Sequence, residues 1–418
     1  MNQLKKLFYK ESKYILLVDQ AFISIINFGS ILVIAKLASI LVFSSFVVVY
    51  SYLYFTYIFL TLLLSNPILI FLKKKWSNNE ENYLIVIILL NIVFNLLIST
   101  ILYTFLSYQI EGVSYMSFLL VSLSMTLFEI LKKYIFSTNN ISIIYAMLSS
   151  VLLNILFFGF LLIYKNELNL NEILKVYWFS FSLVVLSLLS FFYFKKVFNV
   201  NCKNISFVFI IDVAKTHINY SKWLILGGIA FWGYSQGIYI IAKSFNIDDL
   251  VIGKVRTIQN LLGIFNILAF TIENYYTPIF SSKVKKNLIT EVIPSLKEYY
   301  KENILKIFIL FAAALPIGLS FYNIMYSDKF GNGLIIFIIF YLIQLVLIII
   351  KPIAIALKVI EVTKPFFVSH IFAALSLLIF TPFLLSKNNA VSFSLIFVMA
   401  NIIYFYIIAH SFYLNYKK

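Results

Sequence analysis

Apolar residues dominate this chain in long runs, many of them close to the roughly twenty residues that a helix needs to cross a bilayer. Strict alternation of apolar and polar positions, which is typical of strands, is rare. The pattern therefore predicts helices, arranged as twelve membrane spans. The predicted spans lie near 14–36, 43–72, 83–108, 113–136, 141–164, 173–194, 220–244, 250–280, 303–326, 333–358, 364–386 and 390–414.

The composition indicates the same class of protein. Hydrophobic residues occupy 62% of the 418 positions and charged residues only 12%, with a mean hydropathy of +0.96. Soluble domains carry about 25% charged residues. Because lipid offers no hydrogen bonds, a membrane-spanning backbone must form helices or a closed barrel. The expected fold class is an all-α integral membrane protein.

The net charge of +16 comes from lysines that are concentrated on one side of the predicted membrane. With the N-terminus inside, the inner segments hold about three times as many cationic residues as the outer ones, and such a bias marks the cytoplasmic face. We therefore expect both termini in the cytoplasm, and no nucleic acid is needed to explain the basic charge. No signal-peptide cleavage site follows the basic N-terminus, so the first helix is expected to be retained.

The twelve spans divide into two halves of six. The expected domains are an N-terminal bundle over 1–194, a cytoplasmic linker over 195–219 and a C-terminal bundle over 220–418. The first span ends in VIAKLA and the seventh in IIAKSF, which pairs Lys36 with Lys243; the second and eighth spans likewise pair Pro67 with Pro278. Six helices per half would give a parallel repeat. Chance similarity in a chain rich in Ile and Lys is the alternative.

Four spans carry polar or aromatic side chains at helical spacing, and lipid tolerates most of these poorly without a wet cavity or a protein partner. The stripes contain Gln20 and Asn27 on span one; Tyr50, Tyr54 and Tyr57 on span two; Trp232, Gln236, Tyr239 and Lys243 on span seven; and Arg256 and Asn260 on span eight. The alternative is structural. Tyrosines and amides can join neighbouring helices, and Lys36 and Lys243 can extend to the outer surface.

Arg256 is the only arginine in the chain, and it lies inside span eight on the polar face of that helix. A charge in this position is costly without a partner. We therefore expect it either to bind substrate or to pair with Asp248 or Asp249. Lys351, on the polar face of span ten, is a further candidate cation.

Three acidic residues, Asp19, Glu129 and Glu273, lie in the inner halves of their spans and are candidates for binding a coupling ion. For Glu129, a local pair with Lys132 or Lys133 is the favoured interpretation, because these lysines follow one turn later. One cysteine and three scattered histidines offer no zinc cluster, disulfide or Cys–His catalytic pair from nearby residues. We expect no metal, no cofactor and no catalytic residue.

Two segments resemble a known family. The first span, YILLVDQAFISIINFGSILVIAKLA, is similar to the first helix of bacterial polysaccharide flippases of the Wzx type, and GYSQGIYIIAKSF is similar to their seventh helix. The matching elements of the first helix are Asp19-Gln20, Asn27-Phe28 and Ala35-Lys36. These flippases belong to the multidrug/oligosaccharidyl-lipid/polysaccharide (MOP) exporter superfamily. The number of spans, their halving and the expected termini agree over essentially the whole chain.

The resemblance implies two bundles around a central cavity that opens alternately inward and outward. Its cargo would be an undecaprenyl-pyrophosphate-linked oligosaccharide, such as an O-antigen or capsule repeat unit, moved outward across the inner membrane. A diphosphate requires cations and sugars require aromatic rings and amides. Lys243, Arg256 and Lys351 would bind the diphosphate. Trp232, Tyr239 and the tyrosine stripe that begins at Tyr50 would bind the sugars. The implied partners are the bilayer and polysaccharide polymerase or ligase machinery, and a monomer is expected.

Two other function classes stay open. A multidrug or cation antiporter of the same superfamily would favour an acidic cavity, whereas the candidate cavity here is basic. A membrane-embedded polymerase or glycosyltransferase usually needs a long outer loop or an acidic pair at an outer helix end. The outer connections here are short, and Asp248-Asp249 is their one acidic pair.

The lysine bias generates a first prediction, on topology. A reporter fused after Lys418 should score as cytoplasmic, and one inserted at Asn246 should score as external. An alkaline phosphatase and fluorescent-protein fusion pair measures both positions. An external C-terminus would contradict the orientation and the six-plus-six halving together.

Overall fold

The computed structural model of the chain describes residues 18–138, 140–165, 168–194, 205–269, 289–360, 364–385 and 387–416, with positions 15, 272, 273, 276, 280 and 362. Within these residues the protein is helical and has no strands. The helices are α1 (Val18–Leu37), α2 (Ile40–Leu60, continuing through a π-helical turn, Thr61–Ser65, into Asn66–Lys74), α3 (Glu80–Gln109), α4 (Tyr115–Thr138), α5 (Asn140–Ile163), α6 (Leu170–Phe194), α7 (Phe207–Trp232, continuing through a π-helical turn, Gly233–Gly237, into Ile238–Ser244), α8 (Asp249–Leu262), α9 (Ile289–Phe330), α10 (Leu334–Val359), α11 (Lys364–Leu385) and α12 (Ala390–Tyr416).

Eleven helices among the described residues are long and apolar enough to cross a membrane. Large apolar side chains point outward from them, with Ile163, Phe194 and Ile324 exposed by 74%, 80% and 75%. Water would not favour such exposure, whereas lipid does. The predicted all-α membrane fold class is therefore confirmed. The remaining predicted span, 250–280, corresponds to α8, and the structure describes its second half only in part.

Two helices begin earlier than the hydropathy pattern predicts. The segment Phe207–Ser244 is helical over 38 residues, so that part of the predicted linker is the start of α7. Helix α9 is continuous over 42 residues, which is about 63 Å at 1.5 Å per residue and about twice the bilayer core. Asp212 and Lys215 near the start of α7, and Glu291 and Lys297 near the start of α9, interrupt the apolar run and hide the helix start from an apolar window.

The chain forms two compact units, Met1–Ile229 and Ala230–Lys418. In unit 1, α4 is the central helix and packs against α2, α3, α5 and α6. In unit 2, α12 packs against α10 and α11, and α8 packs against α9, α10 and α12. The predicted domain limits, 1–194, 195–219 and 220–418, stay a prediction.

A π-helical turn in α2 explains how the start of α7 is held in unit 1. The Asn66 N–H binds the Thr61 carbonyl, and the next residue, Pro67, has no N–H to give. Side chains of α7 replace the missing donor: Ser221 Oγ donates to the Leu62 carbonyl at 2.7 Å. Backbone oxygens of a membrane helix need such partners, because lipid supplies none.

His217 serves the neighbouring carbonyl of the same turn. Its Nδ1 lies 3.0 Å from the Leu63 carbonyl, and its Nε2 lies 2.7 Å from the Tyr83 hydroxyl. Because a carbonyl can only accept, Nδ1 carries the proton and Nε2 accepts from Tyr83. The ring is completely buried. The His217 side chain therefore links α7 to α2 and to α3 through hydrogen bonds.

The first two helices of each unit share local features. A π-helical turn begins at Ile25 in α1 and at Gly233 in α7, 208 residues apart. The helices end at Leu37 and Ser244, 207 residues apart, and each carries its lysine one position earlier. A side chain then caps the following helix: Ser39 accepts from Val42 N, and Asp248 accepts from Leu250 N. These matches support the proposed repeat. Pro278, the predicted partner of Pro67, lies outside the described residues.

The missing proline donor generates a second prediction. Ser221→Ala should lower the free energy of unfolding by about 0.6–1.7 kcal/mol, the range of hydrogen bonds between membrane helices. Pro67→Ala returns an N–H to the turn, so the same Ser221 change should cost less in a Pro67→Ala background. Thermal unfolding of the four detergent-purified proteins measures this coupling. Equal losses in the two backgrounds would show that the proline does not create the need for Ser221.

Candidate functional site

The only arginine of the chain lies in a ring of neutral polar and aromatic groups inside unit 2. Arg256 is 2% exposed. Its Nη1 donates to Gln236 Oε1 at 2.6 Å and to Gln259 Oε1 at 3.2 Å. The guanidinium carbon lies 5.1 Å from the centre of the Tyr239 ring, and the Tyr239 hydroxyl donates to Gln259 Oε1 at 2.6 Å. We call Gln236, Tyr239, Arg256 and Gln259 the Arg256 cluster.

Local structure explains how these side chains meet. Helices α7 and α8 are joined by four residues, so they run back alongside each other. Arg256 and Gln259 share a face of α8 because they are three positions apart. Gln236 lies in the π-helical turn of α7, which widens the helix and redirects its side chains. Such turns are frequent at functional sites in other proteins.

The other predicted residues of this hairpin have identifiable contacts. Lys243 Nζ lies 2.6 Å from Asp249 Oδ1, so the acidic neighbour that we considered for Arg256 binds this lysine. Asp248, the other acid considered, accepts from the Leu250 N–H. Asn260 is buried and donates to the Arg256 carbonyl. The Trp232 ring lies over Gly237, where an added Cβ would come within 3.1 Å of it.

The predicted tyrosine stripe lines a cleft in unit 1. Tyr50, Tyr54 and Tyr57 of α2 meet Asn27 of α1 and Glu129 of α4. Apolar side chains complete the wall of this cleft, among them Ile23, Phe128, Leu153 and Phe181. We call this site the tyrosine cleft. Gln20 and Lys36 do not line it, and both are exposed.

Asp19 forms a closed ion pair beneath the surface of unit 1. Lys132 Nζ donates to both carboxylate oxygens of Asp19, at 2.7 and 2.9 Å, and to Ser150 Oγ at 2.9 Å. Ser150 Oγ in turn donates to Asp19 Oδ1 at 2.6 Å. Both charged side chains are only 4% exposed. The carboxylate that the sequence offered as a coupling-ion ligand is thus occupied by an ammonium group of the protein.

The two other acidic candidates also bind lysines. Glu129 lies 3.4 Å from Lys133, one turn further along α4, as the local-pair interpretation predicted. Glu273 binds both Lys351 and Lys358 in unit 2. Lys351 therefore stands as half of an ion pair rather than as an isolated cation. Among the described residues, no three His, Cys, Asp or Glu side chains cluster as a metal site would require.

Sequence reasoning missed the buried partner of Asp19. Lys132 was considered only as a local partner of Glu129, whereas the structure buries it within α4 near the rings of Phe128 and Phe136. A signal existed, because Phe128, Lys132 and Phe136 recur at helical spacing. Gln259, three positions from Arg256 on the same helix, was not among the predicted site residues; it accepts from both Arg256 and Tyr239.

Solved structures of membrane transporters share this fold. The lipid II flippase MurJ in an inward closed conformation is 15% identical, with a TM-score of 0.70 over 95% of this chain and 87% of that one. A multidrug resistance MATE family transporter of the MOP superfamily, inward-facing, is 9% identical, with a TM-score of 0.65 over 97% and 93% of the two chains.

A third similar structure is a MOP superfamily transporter from Pyrococcus furiosus Vc1 (DSM3638). The reverse polarity of its binding pocket suggests a different function for that protein. It is 11% identical, with a TM-score of 0.57 over 97% of this chain and 95% of that one. No protein-family model matches the sequence, and no curated protein is significantly similar to it. The likeness therefore establishes the fold, and function must be argued from the side chains.

The buried pair generates a third prediction. Lys132→Met leaves the Asp19 carboxylate buried without its ammonium, which should cost about 3–5 kcal/mol of stability. Asp19→Asn combined with Lys132→Met removes both charges and should recover most of that loss. Thermal unfolding of the purified proteins measures the difference.

Lys75→Met provides the control, because the Lys75–Asp212 pair is 40% and 50% exposed. An exposed pair is worth about 0–1 kcal/mol, so this change should be small. A Lys132→Met protein as stable as Lys75→Met would mean that the buried pair is not a structural element.

Proposed function

We propose that this protein is a lipid-linked oligosaccharide flippase of the bacterial inner membrane. It moves undecaprenyl-pyrophosphate-linked repeat units from the cytoplasmic to the outer leaflet by alternating access. The fold, shared with a lipid II flippase and with multidrug transporters, supports a transport function. The observation that carries the choice of cargo is the Arg256 cluster.

The chemistry of this cluster suits a phosphate group. Placing a guanidinium among apolar membrane helices is expensive, so such residues usually serve a function. Gln236 and Gln259 hold the Nη1 end of Arg256 through neutral amide oxygens, and these orient the group without adding negative charge. A planar guanidinium presents a fork of N–H groups that matches two phosphate oxygens. The cluster is therefore suited to an anionic diphosphate.

Lys243 adds a second cation on the same helical hairpin. Its pair with Asp249 is 22–24% exposed, so an incoming phosphate can compete with the carboxylate. Arg256 and Lys243 would then contact one diphosphate in succession as it moves. Lys351, held by Glu273, is assigned a structural part in this scheme.

One observation favours the antiporter alternative. Glu129 and three tyrosines line the cleft of unit 1, and a carboxylate beside aromatic rings can also bind an organic cation. The enzyme alternative is less favoured, because the connections expected outside are only two to six residues long. They leave little room for an outer catalytic segment.

The Arg256 cluster generates the central functional prediction. A charged hydrogen bond to phosphate is worth about 1.5–3 kcal/mol, so Arg256→Ala should reduce export of surface glycan about tenfold or more. Arg256→Lys should keep part of the activity, because the charge remains while the fork is lost. Export is measured in a host whose surface glycan depends on this protein, with immunoblots of the membrane fraction.

Lys254→Ala is the matched control. It removes a cation from the same helix, at a position that faces the Asn332 carbonyl instead of the cluster. Export should stay close to the wild-type level. A stably inserted Arg256→Ala protein with full export would remove Arg256 from the mechanism, and equal losses in both variants would assign the effect to α8 stability.

A further inference from the structure

The tyrosine cleft of unit 1 has a geometry that restricts what can bind there. The rings of Tyr50 and Tyr54 lie 6.0 Å apart at 16°, and those of Tyr54 and Tyr57 lie 6.0 Å apart at 23°. A flat ligand held between two rings needs a separation of about 7 Å, because each face-to-face contact takes about 3.5 Å. The row is therefore too close for a planar aromatic ligand to be inserted between its rings. A ligand must lie along the row.

The polar groups of the cleft favour a ligand rich in hydroxyls. Each tyrosine carries a phenol that can donate and accept, and Asn27 offers an amide that can do both. Glu129 accepts only, and it lines the cleft together with Tyr57. Between these groups the wall is apolar, including Ile23 and Phe128. A pyranose has the same alternation, with apolar C–H faces and a rim of hydroxyls.

The charge of the cleft excludes a second class of ligand. The Glu129 side chain is 14% exposed, and Lys133 approaches it at 3.4 Å. The nearby Lys132, 5.2 Å from the Phe128 ring, is already bound to Asp19. A ligand carboxylate placed in the cleft would therefore meet the carboxylate of Glu129 across an apolar wall, where like charges repel strongly.

We propose that the tyrosine cleft binds a pyranose ring that carries no acidic group, with its C–H face along Tyr50 and Tyr54 and its hydroxyls on Tyr57, Asn27 and Glu129. This inference rests on the proposed function and adds a substrate class to it. The part of the oligosaccharide that unit 1 contacts is a neutral, N-acetylated or amino sugar. Uronic acids are rejected there.

Saturation-transfer NMR on the full-length protein in nanodiscs tests the assignment. The probes are methyl β-glucoside and methyl β-glucuronoside, which share a ring and differ by a carboxylate. We expect transfer to the glucoside and little to the glucuronoside. Tyr54→Leu should weaken glucoside binding about two- to tenfold, and Tyr54→Phe should weaken it less, because the ring is kept.

Glu129→Gln is the decisive variant, because the proposal predicts that this variant gains binding of the glucuronoside. Removing the negative charge should allow the glucuronoside to bind, which a misfolded protein would not do. Tyr108→Leu is the control for tyrosine loss, since Tyr108 is 90% exposed on α3 and should leave binding unchanged. Folding of each variant is checked by thermal unfolding.

Three results would overturn the assignment. They are no transfer to either sugar with the wild-type protein, glucoside binding that Tyr54→Leu leaves unchanged, and glucuronoside rejection that persists in Glu129→Gln. Binding of tetraphenylphosphonium that depends on Glu129, without sugar binding, would assign the cleft to organic cations. The proposed function is tested separately by export through Arg256, so loss of sugar binding with intact Arg256 dependence rejects this inference alone.

Discussion

A charge or an open carbonyl inside a membrane must find its partner within the protein, and this constraint shapes both units. In unit 1 it joins Asp19, Lys132 and Ser150 into a closed group that ties α1 to α4 and α5. It also brings Ser221 and His217 to the carbonyls beside Pro67. In unit 2 it draws Lys351 and Lys358 to Glu273. These ionised groups are thereby explained as parts of the structure.

The two units use the same local device for different chemistry. Each opens with a helix that contains a π-helical turn, and each turn presents an amide, Asn27 in unit 1 and Gln236 in unit 2. In unit 1 the amide faces tyrosines and a glutamate. In unit 2 it holds the chain's only arginine. A lipid-linked glycan has two chemically different parts, a hydroxyl-rich sugar and an anionic diphosphate. In the proposed function, the tyrosine cleft serves the sugar and the Arg256 cluster serves the diphosphate.

The fold was readable from the sequence because hydrophobic run length is set directly by bilayer thickness. The helix start at Phe207 was not readable, since Asp212 and Lys215 interrupt the apolar run that follows it. The stripes on spans two, seven and eight were recognised because helical spacing alone places their members on one face. This sufficed to group Tyr50, Tyr54 and Tyr57, and to place Gln236 and Tyr239 on one face of span seven.

Partners across the chain were beyond sequence reasoning. Asp19 and Lys132 are 113 positions apart, and only the packing of α4 at the centre of unit 1 brings them together. Local acids were the obvious candidates for Arg256, yet Asp249 binds Lys243 and glutamine oxygens accept from the guanidinium. Turn geometry decides that choice: Asn246 adopts a positive φ of 54° in the four-residue connection, and Asp248 caps α8.

Direct observation of lipid movement is the measurement that tests the central claim. The purified protein would be reconstituted into liposomes that contain undecaprenyl-diphosphate-linked oligosaccharide with a fluorescent label on its glycan. Bleaching by external dithionite, which does not cross the bilayer, reports the labelled glycan in the outer leaflet. A flippase should make nearly all of the label reducible within minutes, whereas protein-free liposomes should protect about half. Protection of half the label despite a folded, inserted protein, together with gradient-driven uptake of tetraphenylphosphonium, would contradict the account and identify a cation antiporter instead.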